Sequence, residues 1–324
     1  LAHMDRPYGL AGFPLLGQLL VFLGLALISW GIFTAISIAL IQPLFGVDLT
    51  ADPALLNALD NPQVVSAKKF LVLLNSIGLF ILPVFLFLRW RGDALADWLQ
   101  FRAPKKSANL LLVPVLLVAS TPWMNLLLEW SSQLPFPDFL AGLEAWIHQS
   151  EADTEANIRA MLTMQGPGEL AMGLLLVAVL PAIGEELFFR GTIQRLCQSR
   201  WASPHVAIWF TAVLFSVAHL QFLGFVSRVL LGAGLGYSYY WSRSLWVPIL
   251  GHFAYNATAV IIYYGMGNGS ISDSWNTVGA NGGWEVWLVA ISLLVVPVLL
   301  WLVHRINRDA PDAENDAHVP LPTD

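Results

Sequence analysis

A chain of 324 residues that is 56% hydrophobic, only 12% charged and of mean hydropathy +0.64 is unlike a soluble domain, in which about a quarter of residues carry charge. The net charge of −6, with no basic patch, argues against nucleic-acid partners. The single Cys197 excludes an intramolecular disulfide and any multi-thiolate metal site, and is expected to be inert.

The fold class expected is all-α: a polytopic transmembrane helix bundle of about eight membrane helices with an interfacial helical segment. Residues Leu1 to His3, ahead of Met4, look like a cloning scar, and residues 1–13 are expected to form a tail. Windows of about 19 residues mark candidate spans at Leu15 to Pro43, Phe70 to Trp90, Leu110 to Leu128 and Leu170 to Arg190. Four more follow at Val206 to Leu220, Phe222 to Trp241, Leu245 to Tyr264 and Trp284 to His304. The first run is too long for a signal-peptide core and no small-residue cleavage pattern follows it, so it is expected to be retained as a span.

Between the third and fourth spans, Phe139, Leu140, Leu143, Trp146, Ile147, Ile158, Met161 and Leu162 alternate with acids at roughly helical spacing, which suggests helices lying at the outer interface. Residues 14–165 are therefore expected to hold the N-terminal membrane helices and this segment, 166–264 a catalytic core, 265–305 an outer loop and the last span, and 306–324 a disordered tail. The Gly, Asn and Ser-rich stretch Gly265 to Gly283 reads as a mobile outer loop. Basic residues Arg89, Arg91, Arg102, Lys105 and Lys106 collect on one side and Asp138, Glu144, Glu151, Asp153 and Glu155 on the other. By the positive-inside rule both termini are expected to be cytoplasmic, on the inner membrane if the chain is bacterial.

Chemistry concentrates in three apolar segments. In Gly184-Glu185-Glu186-Leu187-Phe188-Phe189-Arg190, side chains four apart share a helix face, so Glu186 and Arg190 can pair, while Glu185 points about 100° away without a local partner. A carboxylate in that position suits general acid or base work, against the alternative of a buried Glu-Arg network tying helices together. His219 ends the run Phe215-Ser216-Val217-Ala218, and His252 and Asn256 stand four apart in a later apolar helix. Each could be a helix cross-link. Together they supply what activation of a water and stabilisation of an oxyanion require. The Gly232-x-x-x-Gly236 spacing fits internal packing better than dimerisation.

The ordered set Glu-Glu-x-x-x-Arg, Phe-x-x-x-His and His-x-x-x-Asn, on consecutive membrane segments from roughly Gly166 to Tyr264, resembles the CAAX protease and bacteriocin-processing (CPBP) family of intramembrane endopeptidases, related to the Ras-converting CAAX prenyl proteases. The resemblance implies peptide-bond hydrolysis with Glu185 and His219 activating water, His252 and Asn256 holding the oxyanion, and Glu186 and Arg190 in support. The expected partners are a peptide or membrane-protein substrate, CAAX-type prenylated or otherwise membrane-associated, and the lipid bilayer. No cofactor is expected. The alternative is a zinc form of the same protease with Glu185, His219 and His252 as ligands. A proton- or ion-coupled transporter and a non-catalytic membrane scaffold are the readings from other classes. The windows leave one conflict: Glu185 falls toward the cytoplasmic end of its span and His219 toward the outer end of the next. An extension of the fourth helix to about Leu196 would bring Glu185 toward mid-membrane.

Overall fold

Helix boundaries follow the local chemistry of the chain. Helix α1, Leu15–Phe45, stops at Gly46, whose φ of 71° is left-handed and whose N–H bonds the Gln42 carbonyl oxygen, a closing geometry that glycine adopts without steric cost. Helix α2, Pro62–Arg91, starts where the Asn61 side chain accepts from the Gln63 N–H at 2.9 Å, with Pro62 in the first turn, where a missing N–H costs nothing. It ends at Gly92 with φ 89°. The remaining helices are α3 (Leu95–Leu99), α4 (Asn109–Ser132), α5 (Ala141–Met161), α6 (Pro167–Gln198), α7 (Pro204–Ala218), α8 (Phe225–Ser242), α9 (Trp246–Gly267) and α10 (Val286–Arg308). This computed structural model describes residues 9–272, 274–275, 278–279 and 286–308, and these contain no strand. The expected tail before residue 9, most of the expected outer loop after residue 272 and the tail beyond residue 308 lie outside the described residues.

The chain is a polytopic helical bundle, as expected, and all eight expected spans are helices. Among the described residues five of them, α1, α2, α4, α6 and α10, are long and apolar enough to cross a membrane by length and composition, and the expected count of eight is not confirmed. The 15 residues of α7 rise about 22 Å, short of the roughly 30 Å hydrocarbon core. Helix α8 is diluted by Arg228, serines and tyrosines, and α9 by His252 and Asn256. These three pack with α6, where polar groups find protein partners rather than lipid.

Helix α6 lies at the centre. Its apolar window is 44% buried, against 17–28% for the other four long helices. Leu187, Phe188, Phe189, Ile193 and Leu196 of α6 join Phe22 of α1, Phe87 of α2, Leu99 of α3, Phe215 of α7 and Tyr239 of α8 in the main core. A second core of Val113, Leu117, Leu231, Leu235, Val247 and Val303 binds α4, α8, α9 and α10. There Asn109 and Asn307 exchange amide hydrogen bonds of 3.0 and 3.1 Å, a buried polar link of the kind that fixes helix neighbours in lipid.

The Gly232 and Gly236 stripe faces inward. A Cβ at Gly236 would lie 2.8 Å from Gln194 Oε1 and 2.9 Å from Ile208 Cγ2, and one at Gly232 3.2 Å from the Ala212 backbone. The stripe is therefore the strip on which α6 and α7 dock. Gly236→Val should lower thermal stability in detergent by about 1–3 kcal/mol through overpacking with no change in oligomeric state by size-exclusion light scattering. A shift in oligomeric state at unchanged stability would instead make the stripe an interface between copies.

The expected interfacial segment is a single helix, α5. Its Glu151 accepts from the Leu223 N–H at 3.1 Å and its Trp146 ring stands 5.7 Å from that of Phe222, so α5 rests on the α7–α8 connection.

Candidate active site

Helix α6 is longer than its hydropathy window, running past the expected extension to about Leu196. Running to Gln198, it carries Glu185 eighteen residues after Pro167 and thirteen before Gln198, about 27 Å and 20 Å along its axis. Glu185 therefore sits well inside the helix. The helix is not uniformly wound: Leu174–Val179 and Glu186–Gln194 are π-helical, flanking the α-helical Leu180–Glu185. Single π turns recur at functional sites because they displace side chains from the α register.

The Glu186–Arg190 pair expected from spacing forms within the wide-turned segment, Oε1 to Nη1 at 2.8 Å, with both side chains essentially inaccessible. The same Oε1 lies 2.9 Å from His252 Nδ1. A carboxylate can only accept, so Nδ1 carries the hydrogen and the opposite nitrogen of the neutral ring presents a lone pair. That nitrogen, Nε2, is 4.0 Å from Glu185 Oε2. Glu185 Oε2 is buried with no hydrogen-bond partner. The two adjacent carboxylates thus have different surroundings: Glu186 Oε1 is held by a guanidinium and an imidazole while its Oε2 is buried without a partner, and Glu185 has no comparable hydrogen-bonded anchor.

His219 follows the last residue of α7. Its Nδ1 is 2.7 Å from the Phe215 carbonyl oxygen, and because a carbonyl only accepts, Nε2 is again free to accept. The imidazole is close enough to Glu185 and His252 to interact electrostatically with both. Its mount is firm. Arg228 donates to the Gln221 carbonyl at 2.7 Å and to its side-chain oxygen at 2.8 Å, Ser216 donates to the Phe225 carbonyl at 2.9 Å, and Ser131 donates to the Leu223 carbonyl. Leu220 takes a left-handed φ of 52° to make this turn.

Asn256 is anchored by a different consequence of sequence. Pro181 has no N–H, which leaves the carbonyl four residues earlier, that of Val177, without its helical donor. Asn256 Nδ2 donates to that oxygen at 3.0 Å. A primary amide has two N–H bonds, so the second remains for another acceptor.

Three contributors escape the motif reading. Gln194, one turn beyond Arg190, donates to the Gly236 carbonyl at 3.0 Å while Arg190 Nη2 donates to the Gly232 carbonyl at 2.9 Å, two rungs of one ladder onto α8. The four-residue spacing of both pairs was the available signal. The Phe215 ring, quoted in the Phe-x-x-x-His motif without a role, has the Arg190 guanidinium 4.7 Å over its face and the His219 and His252 rings at 4.7 and 6.1 Å. Trp98, on α3, donates to the Gly191 carbonyl at 3.0 Å and was invisible without the fold. Among the described residues no group of three or more His, Cys, Asp or Glu side chains is drawn together closely enough to hold a metal ion as it stands.

Glu185, Glu186, His252 and Arg190 thus form one contact network, with His219 beside it and Asn256 one turn further along α9. Residues 167–258, which contain all six, match the family model of type II CAAX prenyl endopeptidase Rce1-like proteins, and the resemblance to that family holds over this segment. A curated relative, the uncharacterized protein YpbD of Bacillus subtilis (strain 168), is 27% identical over 88 residues, which cover 26% of this chain and 42% of the relative. The chain therefore spans less than half of that relative's length. No solved structure matches the chain.

Proposed function

We propose, from the premise that residues 167–258 are an Rce1-like segment in a multi-pass membrane protein, that the protein is an intramembrane endopeptidase that hydrolyses peptide bonds with a water activated by Glu185 and His219. The observation that carries this reading is the buried, partnerless Oε2 of Glu185, close to a histidine whose own partner is already fixed. A water placed there has two protons to donate and two acceptors to receive them, the Glu185 carboxylate and His219 Nε2.

The steps are as follows. The water oxygen adds to the scissile carbonyl carbon as one of its protons passes to Glu185, and the carbonyl π electrons move onto oxygen. The second N–H of Asn256 donates to the oxyanion, as does the Nε2–H of His252 when that ring has taken a proton from solvent before the substrate binds. Glu186, bound to Nδ1 of His252, stabilises the imidazolium that this requires. Collapse of the tetrahedral intermediate then breaks the carbon–nitrogen bond, and the proton on Glu185 goes to the leaving amine. The substrate class is a peptide of a membrane-associated chain, CAAX-type prenylated tails among them, entering from the basic side that the positive-inside rule assigns to the cytoplasm. The chemistry needs no metal.

The test is hydrolysis of quenched-fluorescent peptides, farnesylated CAAX peptides included, by the full chain in lipid bilayers, with and without chelator. Cleavage that survives chelation supports the reading. Loss with chelator, restored by zinc, would replace it with the metal-dependent form, and no cleavage of any peptide would remove it. Within the same assay Asn256→Asp, which keeps the shape but donates nothing, should reduce turnover by about 10²–10³-fold, the usual cost of one oxyanion donor. Unchanged turnover would leave Asn256 as a helix tie alone.

A further inference from the structure

At the basic end of the bundle, away from the carboxylates of the candidate active site, three guanidiniums converge where α1, α2 and α6 meet. The Trp98 indole is enclosed by two of them, with Arg91 Cζ 3.8 Å over its ring and Arg195 Cζ 5.0 Å from it. Arg200 lies close enough to Arg91 for the two to repel electrostatically, and its Nη2 donates to the Ala11 carbonyl at 2.8 Å. Arg195 also lies beside the Tyr239 hydroxyl. One carboxylate, Asp93, answers these three charges, with Arg91 Nη1 at 2.8 Å. The Arg91 side chain is only 7% exposed, yet its Nε is buried without a hydrogen-bond partner. Arg91, nearly inaccessible and with an unsatisfied Nε, faces two like charges, an arrangement that an added anion relieves.

The flanks indicate which anion. Trp90 and Leu86, in the last turns of α2 that end at Arg91, and Leu16 and Leu20, in the first turns of α1, are large, exposed apolar side chains, suited to acyl chains. Arginine forks match phosphate oxygens bidentately, and basic pockets between membrane helices bind acidic headgroups.

We propose that Arg91, Arg195 and Arg200 around Trp98 form a binding site for a phosphate-bearing anion, supplied by the headgroup of an anionic phospholipid. Because Trp98 donates to the Gly191 carbonyl and Arg195 belongs to α6, occupancy braces the helix that carries Glu185 and Glu186.

The test is equilibrium binding of short-chain phosphatidylglycerol, phosphatidylcholine and inorganic phosphate to the full chain in neutral detergent. Phosphatidylglycerol is expected to bind in preference to phosphatidylcholine. Arg195→Gln and Arg200→Gln should each weaken it about fivefold, and Arg308→Gln, on another basic helix end, should leave it unchanged. Equal binding of the two lipids, or preference for phosphatidylglycerol that survives both cluster variants, overturns the site. Inorganic phosphate binding as tightly as the lipid overturns the lipid as its source. Arg200 is exposed, so if Arg195→Gln fails to fold, Arg200→Gln decides alone. None of these outcomes depends on peptide cleavage, so the site stands or falls separately from the proposed protease.

Discussion

Glu185→Gln is expected to lower peptide hydrolysis by about 10²–10⁴-fold, the range contributed by one positioned acid or base, while thermal unfolding in detergent stays within the spread of the wild type. The amide keeps the size and shape of the side chain. Its buried Oε2 has no hydrogen bond to be lost, and His252 Nε2 stands 4.0 Å from it. What the substitution removes is the ability to take a proton from water. The two readouts must therefore separate: activity falls and stability does not. Full activity in Glu185→Gln would dismiss Glu185 as the base. Equal loss of activity and stability would make it a structural carboxylate.

Glu186→Ala should show the opposite balance and destabilise the protein by about 3–5 kcal/mol, the cost of leaving a buried charge without its partner. Arg190 is fully buried, and after the substitution its remaining acceptor is the Gly232 carbonyl. A second variant tells the origin of that loss. Glu186→Leu combined with Arg190→Met removes both charges, and apolar replacement of a buried pair is often neutral or stabilising. Much of the stability should return. Activity should not, because His252 Nδ1 has lost the carboxylate that fixes its tautomer. Thermal unfolding and peptide hydrolysis on the same preparations check both halves. An unaltered unfolding temperature in Glu186→Ala would refute the ion-pair argument.

Much of this arrangement is legible in the linear chain. Hydropathy windows find the helices because a bilayer-scale apolar run has few alternatives, and i,i+4 spacing finds the Glu186–Arg190 pair. The signal is weaker where polar side chains dilute it: His252 and Asn256 lower the apolarity of α9, and Arg228 that of α8. The windows also cut α6 at Arg190, since three charges look like a helix end although Ile193 and Leu196 continue into the main core. Contacts between distant segments are out of reach by any local rule. Nothing near Glu186 announces His252 as its partner, 66 residues away. The link from Asn256 to Val177 becomes predictable only once Pro181 is read as freeing a carbonyl and the fold has brought α9 beside it.

The alternating winding of α6 also has a consequence for how the chain tolerates change. A helix that switches between narrow and wide turns acts as a gear train, in which each segment sets the angular phase of the next. Glu185 and Glu186 therefore owe their bearings to Leu174–Val179 as well as to their own neighbours. Loss or gain of one residue there would turn everything downstream by about 100° relative to the start of the helix, and would displace the Val177 carbonyl that holds Asn256. The apolar run ahead of the carboxylates is thus constrained in length as well as in the packing of Leu176, Ala178 and Ala182.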